Sequence, residues 1–218
     1  MPGGGTGGGR RLHQGRPLAL RQCRIVLRSH SGLVCGLSEL RGRCQGSHQG
    51  RCRSKDPVVF LEHKGLYRRP QAKTLEPDAD YTLPFGRGAI RREGTDLTVV
   101  AWGSTVYLAL DLARQIEKEG VSIQVIDLRC IVPLDEELIY RSVRKTNRVV
   151  IAHEDTLMAG FGAEVVARIA ENCIGSLDGP VVRVTAKDSF VPSAPNLELA
   201  VLPSLADLRR GAEKALAF

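Results

Sequence analysis

A chain of 218 residues, 43% of them apolar, is long enough for one domain with a full hydrophobic core. No run approaches the roughly 18 consecutive apolar residues of a membrane-spanning helix, and no secretory signal opens the chain, so a cytoplasmic protein without a membrane partner is the default expectation. The net charge of +7 hides a division: residues 1–55 carry 11 Lys and Arg against the single acid Glu39, a net of +10, while the remainder is net −3.

The basic first quarter also holds 12 of the 23 Gly and four of the six Cys. It has no apolar rhythm with which to bury a core, and is therefore expected to be disordered or poorly packed. Cys23, Cys35, Cys44 and Cys52 follow one another at intervals of 12, 9 and 8, which match no paired zinc-ligand signature. A nucleic-acid-binding arm would use such Arg and Gly for phosphate contacts, but no Phe, Tyr or Trp precedes Phe60 to stack on bases. An Arg-rich, acid-poor start is shared with mitochondrial presequences, yet the Gly-rich opening cannot begin their amphipathic helix.

From Asp56 the periodicities become legible. "PVVFLE" (57–62) is a short continuous apolar run, the pattern of a strand covered on both faces. Residues 68–84, with Pro70, Pro77 and Pro84, read as a linker. "AIRREG" and "DLTVVAWG" suggest two strands about a turn at Gly94. Val106, Ala109, Leu110, Ala113 and Ile116 follow at helical spacing, with Gly120 as the C-cap. "VSIQVIDL" (121–128) is the next strand. Pro133 opens a helix with Asp135, Glu136 and Glu137 in its first turn, where they complement the helix dipole. "RVVIAHE" (148–154), a helix over 161–172, the strand "PVVRVTA" and a closing helix over 204–217 complete the chain. Strands alternating with helices across short loops predict an α/β fold of three layers, a mostly parallel sheet with helices on both faces.

Two stretches are candidates for chemistry. In "WGSTV" (102–106) Gly103 permits a tight turn and Ser104 or Thr105 can cap the helix; a phosphate cradle is the alternative, but neither a Gly-rich fingerprint nor a Lys accompanies it. In "HEDTLMAGFGAE", His153 and Glu154 fall at the C-terminal end of a parallel strand, where sites gather in open α/β sheets, and Gly160 and Gly162 let the chain turn closely into the next helix. A lone His there is more often hydrogen-bonded structure than a catalyst. The sequence contains no metal-ligand cluster and no nucleophile paired with a base.

"DPVVFLEHKGLYR", "GTDLTVVAWGSTV", "VIDLRCIVPLDEELI", "SVRKTNRVVIAHED" and "GFGAEVVARI", in that order, resemble successive segments of the β subunit of thiamine-diphosphate-dependent 2-oxo acid dehydrogenases, over Asp56–Phe218. The resemblance implies a remnant of the pyrimidine-binding domain with its linker over 56–84 and a transketolase-type C-terminal domain over 85–218. Ala152–Glu154 is closer to the branched-chain, 2-oxoisovalerate type than to the pyruvate type. The implied reaction is decarboxylation of a 2-oxo acid on thiamine diphosphate with magnesium, then acyl transfer to a lipoyl group. The family's pyrimidine-activating Glu belongs to the upstream domain, so no catalytic or cofactor-binding residue is assigned and the chain alone is expected to be inactive. Asp56 matches part of the family's monovalent-cation loop, whose upstream half does not match here. The implied partners are an α subunit and a second β subunit in an α2β2 heterotetramer, and the dihydrolipoyl acyltransferase, toward whose docking site the C-terminal Phe218 is directed.

The same resemblance bears on the basic segment. Codons can be chosen for Cys44–Cys52 that, read one base later, spell A-K-G-L-I-K-A-A, and the same shift over Cys35–Glu39 spells V-V-S-P-S; both are family segments. Residues from about Arg24 to Cys52 thus read as a β-subunit gene translated out of frame. An enzyme subunit by descent, a non-catalytic interaction domain and a basic nucleic-acid-binding protein are three distinct expectations. Turnover with an α subunit, binding without turnover, and salt-sensitive affinity for nucleic acid separate them.

Overall fold

The computed structural model describes the backbone of Val34–Ser38, and residues 57–66, 70 and 81–218. Eight strands fall in this part: β1 (Val34–Ser38), β2 (Val58–Glu62), β3 (Ala89–Arg92), β4 (Leu97–Ala101), β5 (Ile123–Asp127), β6 (Cys130–Val132), β7 (Val149–Thr156) and β8 (Val182–Ala186). Five helices accompany them: α1 (Thr105–Ile116), α2 (Glu136–Thr146), α3 (Phe161–Cys173), α4 (Pro195–Val201) and α5 (Leu205–Leu216).

The main sheet has the order β3-β5-β4-β7-β8. Its four inner and far strands run parallel, and β3 closes one edge in the antiparallel sense against β5. Successive residues of β4 point to opposite faces, as the two-residue period of a strand requires. Leu97, Val99 and Ala101 meet α1 and α5 on one side, whereas Val100 and then Trp102 meet the layer of α2 and α3 on the other. The expected three-layer architecture with helices on both faces is the one observed. Thr98, the polar member of the second set, is buried but donates to Ser142 O at 3.1 Å and lies 2.8 Å from Thr146 Oγ1, so α2 is keyed to the sheet by hydrogen bonds as well as apolar contact.

The strands expected about Gly94 both form, but they are not hairpin neighbours, because β5 lies between β3 and β4. Gly94 is needed for a different reason: a Cβ there would sit 2.2 Å from the backbone of Ile123 and Gln124, so only glycine lets this turn pass over the start of β5. Helix α1 ends in a short 3-10 turn and then at Gly120, whose φ of 84° is the left-handed cap that the sequence suggests. Helix α2 begins three residues later than Pro133, with Asp135 as its N-cap accepting from Leu138 N at 3.2 Å and, from outside the helix, from Gly88 N at 2.9 Å. Between α2 and α3, Arg168 pairs with Glu136 and Glu164. Tyr140 donates to Glu136 at 2.8 Å; burial, reinforced by that carboxylate, pushes the Tyr140 hydroxyl up to about 12.

The second sheet, β2-β1-β6, corrects an expectation. Val34–Ser38, placed by sequence in a segment without order, forms a strand that pairs in parallel with all of β2 and antiparallel with β6. Backbone pairing asks only for an extended chain, and a five-residue stretch opening with a β-branched Val satisfies it whatever the surrounding composition. β2 therefore has a sheet neighbour, and its side chains are half-buried rather than open to solvent. The remainder of the basic segment, the cysteines in it other than Cys35, the cation-loop residue Asp56 and most of the linker lie outside the described residues.

Helix α5 supplies a test of the local chemistry. Ser204 Oγ accepts from Asp207 N at 3.2 Å while the Asp207 carboxylate accepts from Ser204 N at 2.9 Å, a reciprocal capping box. Burial alone would raise the Asp207 carboxyl, but the Ser204 hydrogen bonds and Arg210 outweigh it and hold it below the ordinary carboxylate value. A depressed native pKa contributes stability that is present above the unfolded value of about 3.9 and disappears as pH falls through the native value. Ser204→Ala should cost about 1 kcal/mol in denaturant melts at pH 7. The stability gap between wild type and Asp207→Asn should shrink as pH is lowered below about 4; a gap independent of pH would show that the carboxylate charge is immaterial.

Candidate functional site

The chain runs β4-α1-β5 to one side of β4 and then crosses to β7 on the other, with α1 and α3 leaving on opposite faces of the sheet. The crevice beyond the C-terminal ends of β4 and β7 is thus the topological switch point, where open α/β sheets bind ligands. "WGSTV" delivers Trp102, Gly103 and Ser104 to it from β4, and "AHED" delivers His153 and Glu154 from β7. The two stretches singled out in the sequence meet there.

They divide by the alternation of β7. His153 is fully buried, with its ring stacked on Trp102 at a centroid distance of 4.8 Å and 8° between planes, and Phe161 meets Trp102 edge-on at 5.7 Å. The Asp155 amide donates to His153 Nδ1 at 3.2 Å, so Nδ1 is the acceptor and the proton of the neutral ring sits on Nε2. A Cβ at Gly162 would lie 2.2 Å from His153 Nε2, and one at Gly160 would lie 2.9 Å from its Cε1. Gly162 lets α3 start directly over the imidazole, whereas Gly160 is required first by the Thr156 carbonyl oxygen, 2.1 Å from where its Cβ would lie. His153 is a core residue, which answers the alternative left open by the sequence.

Glu154 faces the crevice and is also largely buried, at 9% exposure. One carboxylate oxygen accepts from the Ser104 hydroxyl; the other lies 3.0 Å from His63 Nε2, which arrives from the end of β2. Gly103, at φ 68°, passes between them, and a Cβ there would approach both His63 and Glu154 to under 4 Å. Ser104 occupies the N-cap position of α1 but makes no side-chain cap, because its hydroxyl is turned to Glu154. Thr105 instead donates to Trp102 O at 2.8 Å and Ala152 O at 2.9 Å, tying β4 to β7. His63 was not legible as a site residue: 91 positions separate it from Glu154, and a His just past an apolar strand is the one signal it offers.

Two further carboxylates near this end of the sheet are also engaged. Asp127 is fully buried 3.3 Å from Arg91 Nη1, and Asp135 caps α2. Among the described residues no group of three or more His, Cys, Asp or Glu could hold a metal ion. A hollow of about 560 Å³ opens between the starts of α2 and α3, walled by Ile131, Pro133, Leu134 and Phe161, but the charges on its rim are paired with one another through Arg168. The described residues therefore offer no fit for a magnesium–diphosphate group. Phe218, expected at a docking site, is 65% exposed at the chain end with its Cβ lying against Gly179. No helix among the described residues is long and apolar enough to cross a membrane.

Comparison with known proteins agrees with this architecture. Residues 86–208 match the family "Transketolase, C-terminal domain", to which the chain belongs. The chain is 42% identical over 166 residues to the pyruvate dehydrogenase E1 component subunit beta of Bacillus subtilis, covering 76% of this chain and 50% of that relative. It is 37% identical over 214 residues to the mitochondrial subunit of that name from Pisum sativum, covering 88% of this chain and 60% of that relative. The chain thus spans about half the length of the curated relatives it matches. Among solved structures, "Split gene transketolase, inactive beta4 tetramer" superposes with a TM-score of 0.72 at 26% identity, covering 88% of this chain and 60% of that one. The resemblance to β subunits of thiamine-diphosphate-dependent 2-oxo acid dehydrogenases is borne out. The 2-oxoisovalerate preference is not supported, since both curated relatives are of the pyruvate type. His153, part of the Ala152–Glu154 stretch that suggested the branched-chain type, packs in the core against Trp102.

Gly162→Ala should be strongly destabilising, because the new methyl has only the imidazole to displace; overpacking of this kind costs about 1–3 kcal/mol. In a thermal-melt cycle, part of that loss should be recovered when His153→Ala is combined with Gly162→Ala. Strict additivity would separate the two positions.

Proposed function

We propose that the chain is a β-subunit component of the decarboxylating enzyme of a 2-oxo acid dehydrogenase complex, and that its C-terminal domain serves assembly rather than chemistry. The observation that carries this reading is the filling of the switch-point crevice from within. Glu154 gives its two oxygens to Ser104 and His63, so the end of the sheet that would receive a ligand grips the β2 segment instead. The relatives' names support pyruvate as the first substrate to test, with 2-oxoisovalerate as the comparison. Thiamine diphosphate and magnesium enter at the level of the complex, and the chemistry they supply there is carbon–carbon cleavage next to a carbonyl. The partners in this reading are an α subunit, a second β subunit and a dihydrolipoyl acyltransferase, with Phe218 at the acyltransferase contact. The reading places the protein in the cytoplasm; the name of the pea relative carries the word mitochondrial.

Removing Glu154 should release the grip without unfolding the sheet. In hydrogen exchange, Glu154→Ala should speed the Leu66 amide, bonded to His63 O at 2.9 Å, while Val99 and Val100 remain as slow as in the wild type. Unchanged exchange at Leu66 would remove the grip from the account.

Activity is tested by mixing the purified chain with an α subunit, thiamine diphosphate, magnesium and either 2-oxo acid. Decarboxylation should not exceed that of the α subunit alone, and deletion of Phe218 should weaken acyltransferase binding at unchanged thermal stability. Turnover clearly above the control would place catalytic residues in this chain. The reading of residues 24–52 as out-of-frame belongs to the same proposal, and the nucleotide sequence over those codons decides it.

A further inference from the structure

A hollow of about 560 Å³ lies between the N-terminal turns of α2 and α3, within the size range of small-molecule sites, and Glu154, Ser104 and His63 take no part in its walls. Its apolar side is built into the domain. Ile131 and Phe161 are 2% and 4% exposed, so each belongs to the second core cluster and shows only one face to the hollow, and Trp102 braces Phe161 edge-on. Leu134, half-buried, packs against the same cluster. Apolar walls that a core already holds in place receive an apolar body without first having to be ordered.

The rim sets what polar group can accompany that body. Arg168 donates through Nε to Glu164 Oε1 at 2.8 Å and through Nη1 to Glu136, so carboxylates from two helices hold its guanidinium in place. Glu136 gives its other oxygen to the Tyr140 hydroxyl at 2.8 Å. Among the described residues this leaves one donor and one acceptor side by side, since Arg168 Nη2 takes part in neither pair and Glu164 binds through Oε1 alone. A carboxamide, with a carbonyl oxygen to accept and an NH2 group to donate, matches both. An ion fits worse: a ligand carboxylate would stand beside two glutamates, and a ligand ammonium would compete with Arg168 for them. We propose that this hollow is a binding site for a neutral apolar molecule ending in an amide, whose oxygen accepts from Arg168 and whose nitrogen donates to Glu164.

The test titrates the full 218-residue chain with probes that share one phenylpropyl body, followed by NMR at the Ile131 and Leu134 methyl groups and the Phe161 ring. Hydrocinnamamide is neutral, hydrocinnamate an anion and phenylpropylamine a cation. The amide should give saturable shifts at these side chains with a dissociation constant on the order of 1 mM, as its small size dictates. Both ions should bind about tenfold more weakly. Arg168→Gln should weaken the amide about tenfold, through loss of one hydrogen bond from a charged donor. Leu134→Trp, which fills the hollow, should abolish the shifts, while the Val99 and Leu112 methyl signals on the opposite face of the sheet stay in place and report an intact fold. The comparison of probes on the wild type needs no substitution. Absence of a saturable shift, equal affinity for all the probes, or amide binding undiminished in either variant would overturn the site.

Discussion

Everything in this structure depends on β4 and β7 being dry on both faces. All five residues of β4, and the first seven of β7, are buried, and a strand with no wet side must have a helical layer above it and another below. That requirement fixes α1 and α5 on one face and α2 and α3 on the other. It also dictates where polar groups can be tolerated. Thr98, Gln124 and Ser142 survive in the interior only because they bond to one another and to backbone: Gln124 Nε2 donates to Ser142 Oγ at 2.7 Å, and Lys145 reaches in from the surface to Gln124 Oε1 at 3.0 Å. The helix facing these strands is consequently registered by polar pairs as well as by apolar fit.

The same dryness shapes the end of the sheet. A buried carboxylate is expensive unless hydrogen-bonded, and Glu154 emerges from a strand with little water to satisfy it. Its bonds to Ser104 and His63 meet that need from the segments just past β4 in the main sheet and β2 in the smaller sheet. At the switch point, Glu154 thus links the end of the main sheet to the segment following β2. Fold alone does not decide this; the side chains at 63, 104 and 154 do.

These dependencies explain what was legible in the sequence. The strands of the main sheet and the helices α1, α2, α3 and α5 could be read because burial on two faces forces continuous apolar runs, and burial on one face forces the helical period. β6 is three residues long and α4 has no buried side chain, so neither left a pattern. The pairing of β3 with β5 was hidden because it follows from Gly94 crossing the start of β5, a contact between residues about 30 apart. At the site, Trp102–Thr105 and His153–Glu154 stood out through their positions at strand ends. Whether His153 faced substrate or core depended on two glycines packing over it, which spacing suggested and only geometry could decide. His63 left almost no trace, since its partner is chosen by the fold.

The division of charge along the chain has a structural counterpart. Residues 56–218 are net −3, and ion pairs join surface charges among the described residues, as in the Arg209 fork that holds both Glu119 and Glu213. Exposed pairs of this sort add little stability singly. Their effect here is to tie the turn after α1 to α5, and so to close the outer layer over the first core cluster. The smaller sheet meets the main one in three ways: backbone pairing of β1 with β6, packing of Leu61 from β2 on the second core cluster, and the His63–Glu154 side-chain contact. The described residues of 85–218 thus hold two apolar cores, one on each face of the main sheet, and the smaller sheet meets them at one end.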